Sequence, residues 1–223
     1  ATGNACTHKN CDRRRQYLLA TSQLLVNDLD TMVDQWGPGG KHRARVMAED
    51  PNMGLRRMLF GMGSLSLGEL AGERIKVAME ANSPEDEHDC FSDNTHNSHY
   101  YNALGIANIY AGHFQRINGD WLRGPSLQAF VKDINPTLAV SLTSAFDRPQ
   151  ARLQVMVLRA EASGPYAKQT TMKFDQMIAE GNAEGAQIIS DVIESLVAET
   201  QLIEVMAKAL EINRLTPDQA RQH

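Results

Sequence analysis

Apolar residues recur at three- and four-residue spacings along most of this chain, and this periodicity constrains the fold more than any other feature. The first periodic segment begins at Asp12, a residue type favoured at helix N-caps, and ends before the Gly-Pro-Gly-Gly run at 37–40. Its apolar positions share one helical face: Leu18, Leu25, Leu29, Met32, Val33 and Trp36. The pattern predicts a long amphipathic helix.

A second long helix is predicted from Asp50 and Pro51, because proline is tolerated at the first helical position. Its apolar residues cover much of the circumference, which is typical of a central, buried helix. They are Leu55, Met58, Leu59, Met62, Leu65, Leu70, Ile75 and Met79. Glycines interrupt it at 54, 61, 63, 68 and 72. Each costs about 1 kcal/mol of helix propensity relative to alanine, and close packing against a neighbouring backbone is the favoured reason for them.

The rest of the chain repeats this helical pattern without a convincing strand. A third helix carries apolar residues from Tyr101 to Phe114 and is expected to end at 118–120, and a short helix follows at 126–133. A fourth segment starts at Asn135-Pro136, and Pro149 is expected to kink or divide it. A long loop at 163–182 precedes a last helix at 183–212. The predicted fold class is all-α, an up-and-down helical bundle.

Composition excludes two classes of partner. The net charge of −5 disfavours nucleic acid, which requires a basic surface. No apolar run reaches the roughly 20 residues that span a bilayer. The first residues, 1–4, lack the charged and apolar regions of a signal peptide. We therefore expect a cytosolic protein, or a mature or trimmed product of a longer one.

Two cysteines, Cys6 and Cys11, lie in a polar segment just before the first helix. Such a pair can close a small disulfide loop, which would indicate an oxidising compartment. Two alternatives stay open: unpaired thiols, and a metal site with His8, although one histidine and two cysteines fall short of four ligands. Cys90 is left over, which fits a buried thiol or a partner outside the chain. The domain prediction is an N-terminal disulfide-type segment at 1–12, a bundle at 13–215 and a tail at 216–223.

The densest polar stretch runs from residue 85 to residue 99 and joins the second and third helices. It contains five carboxylates and three histidines, and His96 and His99 are spaced so that both project from one helical face. Mixed carboxylate and imidazole donors suit iron, zinc or manganese. The alternative is that these acidic and small polar residues only cap the next helix and stabilise its positive end.

A second polar set lies on the glycine-rich helix. Glu69 and Glu73 are four residues apart and share a face, as paired carboxylates in a bundle core must, and Ser64 and Arg74 lie nearby in the sequence. A surface ion pair of Glu73 with a basic neighbour is the alternative. Buried charges need partners. A charge pair on so apolar a helix therefore lies either on its narrow solvent-exposed face or in the interior together with other polar or charged groups.

These two stretches resemble the C-terminal half of the imelysin family. The resemblance rests on residues 61–65 and 68–74 of the glycine-rich helix and on residues 85–96, above all the Cys-Phe-Ser-Asp-Asn-Thr-His run. The segments 172–178 and 181–182, and the Cys-x4-Cys entry to the first helix, are also similar to the family. The similarity extends over nearly the whole chain.

The resemblance implies an all-helical protein of two bundle-like halves, exported to the periplasm or outer membrane, often as a lipoprotein. Members of the family include insulin-cleaving membrane peptidases, iron-regulated proteins and relatives of periplasmic iron-uptake components. The family's Gly-x-His-x-x-Glu motif belongs to the N-terminal half. No histidine of this chain is followed three residues later by glutamate, so a site that needs that motif is incomplete in these residues.

The leading hypothesis is an iron-handling protein that binds a metal ion or small ligand where the two halves meet. Its partners would be the N-terminal half, from the same precursor or a separate chain, and iron-transport components. The expected metal is iron or zinc. The candidate ligand-binding residues are Ser64, Glu69, Glu73, Arg74, Asp93, Asn94 and Thr95, and the candidate metal ligands are Glu87, His88, His96 and His99.

Two alternatives remain. The first is a metallopeptidase in which His96, His99 and Glu87 would activate a water molecule on a metal, although no spacing here matches a known zinc-peptidase motif. The second is a structural or docking half without a site of its own. In that case, alanine at Glu73 or His96 would change stability alone.

Overall fold

The computed structural model describes residues 9–212, and this part of the chain is almost entirely helical. The long helices are α1 (Cys11–Trp36), α3 (Pro51–Gly63), a π-helix (Ser64–Lys76), α5 (Thr95–Ala111), α7 (Pro136–Ala160) and α9 (Ala183–Ala209). The shorter ones are α2 (Lys41–Ala48), α4 (Val77–Ala81), α6 (Leu127–Ile134), α8 (Phe174–Met177) and the 3₁₀ turns Pro84–Asp86 and Gly164–Tyr166. The predicted all-α helical bundle is confirmed.

The chain divides into two compact units, residues 1–54 and 55–223. In the described part of the first unit, α1 contacts α2 and neither helix has a buried residue. The apolar side chains of α1, from Tyr17 to Trp36, are 49–73% exposed. The division predicted from the sequence, at 12 and 215, depends on termini outside the described residues and stays a prediction. Cys6 is also outside them, so its pairing with Cys11 is a prediction too.

The second unit is built around α7 and α9, which pack against each other and against the π-helix and α5. Two apolar clusters fill it. One contains Leu70, Ile75, Leu153, Met156, Phe174, Met177, Ile189, Val192 and Leu196. The other contains Leu59, Met62, Ile106, Tyr110, Val131, Leu142, Phe146, Ile203 and Met206. Gly185 allows α9 to approach α8 closely, because a Cβ at this position would collide with the backbone of Met177.

The glycine-rich segment is one continuous helical rod, but its middle has π-helical hydrogen bonding from Ser64 to Lys76. It buries one side only: Leu67 and Val77 stay half exposed while Leu70 and Ile75 are fully buried. The expected central helix, apolar around most of its circumference, is therefore a one-sided helix. A π-helix closes its hydrogen bonds at i→i+5, and such turns are frequent at functional sites.

Two local expectations were wrong. The third helix ends at Gly112, earlier than residues 118–120, and a hairpin of β1 (His113–Gln115) and β2 (Trp121–Arg123) follows. Gly112 has a φ of +64°, and a Cβ there would lie 2.6 Å from the carbonyl oxygen of Pro125, so glycine terminates the helix at this point. The expectation that Pro149 divides the fourth segment was wrong, because α7 runs unbroken from Pro136 to Ala160 with this proline buried, whereas a kink at Pro149 stays a prediction.

In the described residues, no helix is both long enough and apolar enough to cross a membrane.

Candidate functional site

The segment between α4 and α5, residues 82–94, is held against the start of α5; we call it the connector. Asn82 ends α4 in a left-handed conformation, and its side-chain amide donates a hydrogen bond of 2.5 Å to the backbone carbonyl that follows α8. The backbone N–H of Asp89 donates to the hydroxyl of Thr95 at 3.0 Å, and its carboxylate accepts from Ser98. These bonds fix the polar connector on the first turns of α5.

His96, in the first turn of α5, is 1% exposed. Its Nε2 lies 3.6 Å from Oε1 of Glu161, which is too far for a hydrogen bond, and neither ring nitrogen has a hydrogen-bond partner among the described residues. Burial lowers the pKa of His96, and the nearby charge of Lys173 lowers it further, whereas Glu161 and Asp93 oppose the shift. The lowered pKa favours the neutral form of the ring, and Glu161 is the carboxylate that opposes this shift.

His99, one turn further along, is completely buried. Its ring meets Phe174 edge-on at a centroid distance of 5.1 Å and lies 6.1 Å from the ring of His88. Burial, followed by the positive fields of His88, Arg74 and His96, lowers the pKa of His99 to about 3. Both of its nitrogens also lack a hydrogen-bond partner in the part of the chain that the structure describes. A buried, unsatisfied imidazole costs stability, so its presence calls for an explanation.

Glu87, on the connector, is the buried acidic group of this region. Burial raises its pKa, and the negative charges of Asp175, Asp93 and Asp89 raise it further, whereas a hydrogen bond from Thr95 opposes the shift. Within residues 9–212, its Oε1 has no hydrogen-bond partner. The group is therefore easier to protonate than an ordinary glutamate.

Arg74 links the π-helix to these groups, since its charge acts on His99 and the π-helix packs against α5. Its Nη2 lies 3.4 Å from Oε2 of Glu69. The two residues are five apart, the separation that the hydrogen bonds of a π-helix span. We call Arg74, Glu87, His88, His96 and His99 the histidine cluster.

The structure thus brings part of the predicted site together and leaves part of it apart. Ser64, Glu69 and Glu73 are exposed on the π-helix, and Ser64 and Glu73 make no side-chain hydrogen bond or ion pair within the described residues. Asn94 does not cap α5 with its side chain, but accepts a bond of 2.8 Å from Asn97 instead. Thr95 is buried and bonded to Asp89, as above, while Asp93 is exposed with a φ of +53°.

Sequence reasoning missed four residues that surround the cluster: Glu161, Lys173, Phe174 and Asp175. Three of them lie in the segment 172–178, whose resemblance to the family was the available signal. Glu161 follows α7 and carried no such signal. It is positioned by Asn97, whose amide donates to its Oε1 at 3.3 Å.

In the described part of the chain, no three His, Cys, Asp or Glu residues are arranged so that they could hold a metal ion. The donors themselves suit one, because neutral imidazole nitrogens without partners are the form in which histidine binds metals. A metal held here by His96 or His99 would need ligands from elsewhere to complete its coordination. The cluster is chemically suited to metal binding but has too few ligands by itself.

A second buried carboxyl, Glu199 on α9, lies apart from the cluster and was not predicted. It is 2% exposed, and burial raises its pKa to about 8, although a hydrogen bond with Ser66 opposes the shift. Its Oε1 has no hydrogen-bond partner in the described part of the chain. It lines a cavity of about 80 Å³ together with Ser141, Ser144 and Arg148. Nothing in the sequence marked this residue, since a lone glutamate on a long helix is usually exposed.

Comparison with known proteins places these features in a family context. The sequence model described as imelysin matches residues 3–203, which is most of the chain. No curated protein matches the chain.

Proposed function

The chain belongs to the imelysin family, and on that premise we propose that it is an exported iron-acquisition protein, periplasmic or outer-membrane-associated. In this proposal the histidine cluster binds iron or zinc, or a small anionic chelate of the metal. The remaining ligands come from an N-terminal half that carries the Gly-x-His-x-x-Glu motif. The complex delivers its metal to iron-transport components.

The observation that carries the proposal is the state of His96 and His99. Both rings are buried, and none of their four nitrogens has a hydrogen-bond partner within residues 9–212. Folding normally pairs or exposes such groups, because an unsatisfied buried polar atom costs about 1–3 kcal/mol. A metal ion bound by either histidine would satisfy one nitrogen of that ring. The lowered pKa of both histidines favours the neutral form that binds metals.

Arg74 supports the chelate form of the proposal. It brings a positive charge to His99, and that charge would repel a bare metal cation. The same charge would attract the carboxylate or phenolate groups of an anionic chelate. The pairing with Glu69 at 3.4 Å, on the exposed side of the π-helix, leaves part of the guanidinium available.

The exposed apolar residues of α1 support a partner half. Leu25, Leu29 and Val33 are 51–69% exposed on a helix without a buried residue. A contiguous apolar surface of this kind is typical of a protein–protein contact. In our proposal the N-terminal half covers it.

The test is a metal titration of His96→Leu, which keeps most of the volume of the ring and removes its nitrogens. We expect wild type with its N-terminal half to bind Fe²⁺ or Zn²⁺ at least tenfold more tightly than the variant with the same half. The isolated chain should bind weakly in both forms. Calorimetry under anaerobic conditions measures both affinities.

His42→Leu is the matched control, since His42 is exposed on α2 and lies outside the cluster. It should bind metal like wild type. Equal affinity with and without the N-terminal half would contradict the shared site. Equal loss in both histidine variants would contradict the assignment to the cluster.

A metallopeptidase is the second candidate, and Glu87 is the observation that favours it. A buried carboxyl whose pKa is raised, and which directly precedes His88 in the chain, suits a general acid or base in hydrolysis. Cleavage of casein that disappears with a chelator and in Glu87→Gln would support this activity. Metal binding without chelator-sensitive cleavage would contradict the peptidase activity and would agree with the iron-binding role.

A further inference from the structure

An open groove lies between α5 and the β1–β2 hairpin in the second unit, with Met58 of α3 at one side. Its volume is about 980 Å³, which lies in the range of sites for small organic ligands. Phe114 and Leu122, which pair across the hairpin, both line it. None of the residues of the histidine cluster lines this groove.

The lining of the groove is apolar and basic. Its apolar members include Leu104, Ile109, Phe114, Ile117 and Leu122. Its charged members are Arg116 and Arg123, and the described residues that line it include no aspartate or glutamate. This is unusual in a chain whose net charge is −5. The groove is complementary to a ligand with an apolar body and a negative head.

The two arginines are available to such a ligand. Neither forms an ion pair with a carboxylate in the described residues. The Cζ atom of Arg123 lies 5.2 Å from the centre of the Trp121 ring, a contact that orients the guanidinium without using its N–H groups as hydrogen-bond donors. A guanidinium binds a carboxylate through two parallel hydrogen bonds.

Gly105 keeps the groove open. It lies on α5 among the lining residues, and a Cβ at this position would have no heavy atom within 4 Å. A side chain here would enter the groove without disturbing the core. Glycine in the middle of a helix costs stability, so its presence at an unobstructed position fits a requirement for space.

We propose that this groove binds an amphiphilic carboxylate, with its apolar chain along α5 and its carboxylate on Arg116 and Arg123. The apolar side chains exclude water from the chain of the ligand, and the arginines select the negative head. This site is independent of the proposed metal site.

The test is calorimetric titration with decanoate and with decyltrimethylammonium, which has the same alkyl chain and the opposite charge. We expect decanoate to bind at least tenfold more tightly. Gly105→Leu should abolish decanoate binding by filling the groove. The double variant Arg116→Gln and Arg123→Gln should weaken it at least tenfold.

Controls separate the groove from general effects. Gly61→Leu places the same side chain at another unobstructed, exposed helical glycine and should bind decanoate like wild type. Replacing Arg13 and Arg14 by glutamine removes the same charge elsewhere and should also have no effect. His96→Leu should retain decanoate binding, so failure of the metal site and failure of the groove are distinguishable.

Three outcomes would overturn the proposal. Equal binding of the anionic and cationic amphiphiles would show that charge plays no part. Unchanged binding by Gly105→Leu would place the ligand elsewhere. A lack of decanoate binding, together with self-association that Gly105→Leu abolishes in sedimentation experiments, would identify the groove as a contact between two copies of the chain.

Discussion

Replacing Glu199 by glutamine is expected to raise the free energy of unfolding at pH 9 by roughly 4 kcal/mol, and to change it by less than about 1 kcal/mol at pH 5. Burial raises the pKa of Glu199 to about 8 in the folded protein, whereas the unfolded chain has an ordinary glutamate. Between pH 4.5 and 8 the folded state therefore holds a proton that the unfolded state has lost. Stability falls as pH rises through this window, and glutamine removes the dependence because it cannot ionise.

Denaturant unfolding from pH 5 to pH 9 measures this difference directly. Glu194→Gln is the matched control, because Glu194 is exposed on the same helix. It should leave the pH dependence of wild type unchanged. If the free energy of unfolding of Glu199→Gln falls with rising pH as steeply as that of wild type, then Glu199 ionises in the folded protein as readily as in the unfolded chain.

Replacing His99 by leucine changes the free energy of unfolding by an amount that depends on pH. We expect this change to be roughly 3 kcal/mol more stabilising at pH 4 than at pH 7. The pKa of His99 is lowered to about 3, so between pH 3 and 6.5 the unfolded chain binds a proton that the folded protein excludes. Stability falls as pH drops through that window. Leucine has a similar volume and cannot be protonated, so the part of the acid loss that His99 causes should disappear, while the part that His96 causes remains.

Thermal or denaturant unfolding in chelator-containing buffer, from pH 3.5 to pH 7, provides the measurement. His42→Leu serves as the control, and its acid profile should match that of wild type. An unchanged acid loss in His99→Leu would mean that His99 is protonated without cost in the folded state. Water would then reach the ring.

The two groups act in opposite directions where their windows overlap. Between about pH 4.5 and 6.5, Glu199 makes stability fall with rising pH and His99 makes it rise. The contributions of these two groups to the wild-type profile therefore offset each other in this interval. Each single variant should reveal the slope of the remaining group.

The fold was largely predictable because helical periodicity is a local signal. Leu153 and Met156 mark the buried face of α7, and Ile188, Val192 and Leu196 mark that of α9, at spacings that a reader of the sequence can recognise. The hairpin after Gly112 was missed, since its strands have three residues each and are too short for an alternating pattern. Local rules predict that a proline interrupts a helix, but α7 continues through Pro149, whose side chain is buried in the packed bundle.

The members of the histidine cluster were all named from the sequence, whereas the residues that surround it were not. His96 and His99 were expected to share a face, and both lie on the buried side of α5. Glu73 and Arg74 were both expected near them, but Glu73 is exposed on the π-helix, whereas the charge of Arg74 acts on His99. Sequence spacing alone did not indicate the change from α- to π-helical hydrogen bonding at Ser64.

The central claim is that the histidine cluster binds a metal ion. Anomalous diffraction from crystals of the chain with its N-terminal half, soaked in Zn²⁺, tests it most directly. We predict an anomalous peak roughly 2.1 Å from an imidazole nitrogen of His96 or His99, and no peak there in His96→Leu. An ion bound only at sites remote from these two histidines, with equal occupancy in wild type and variant, would contradict the claim.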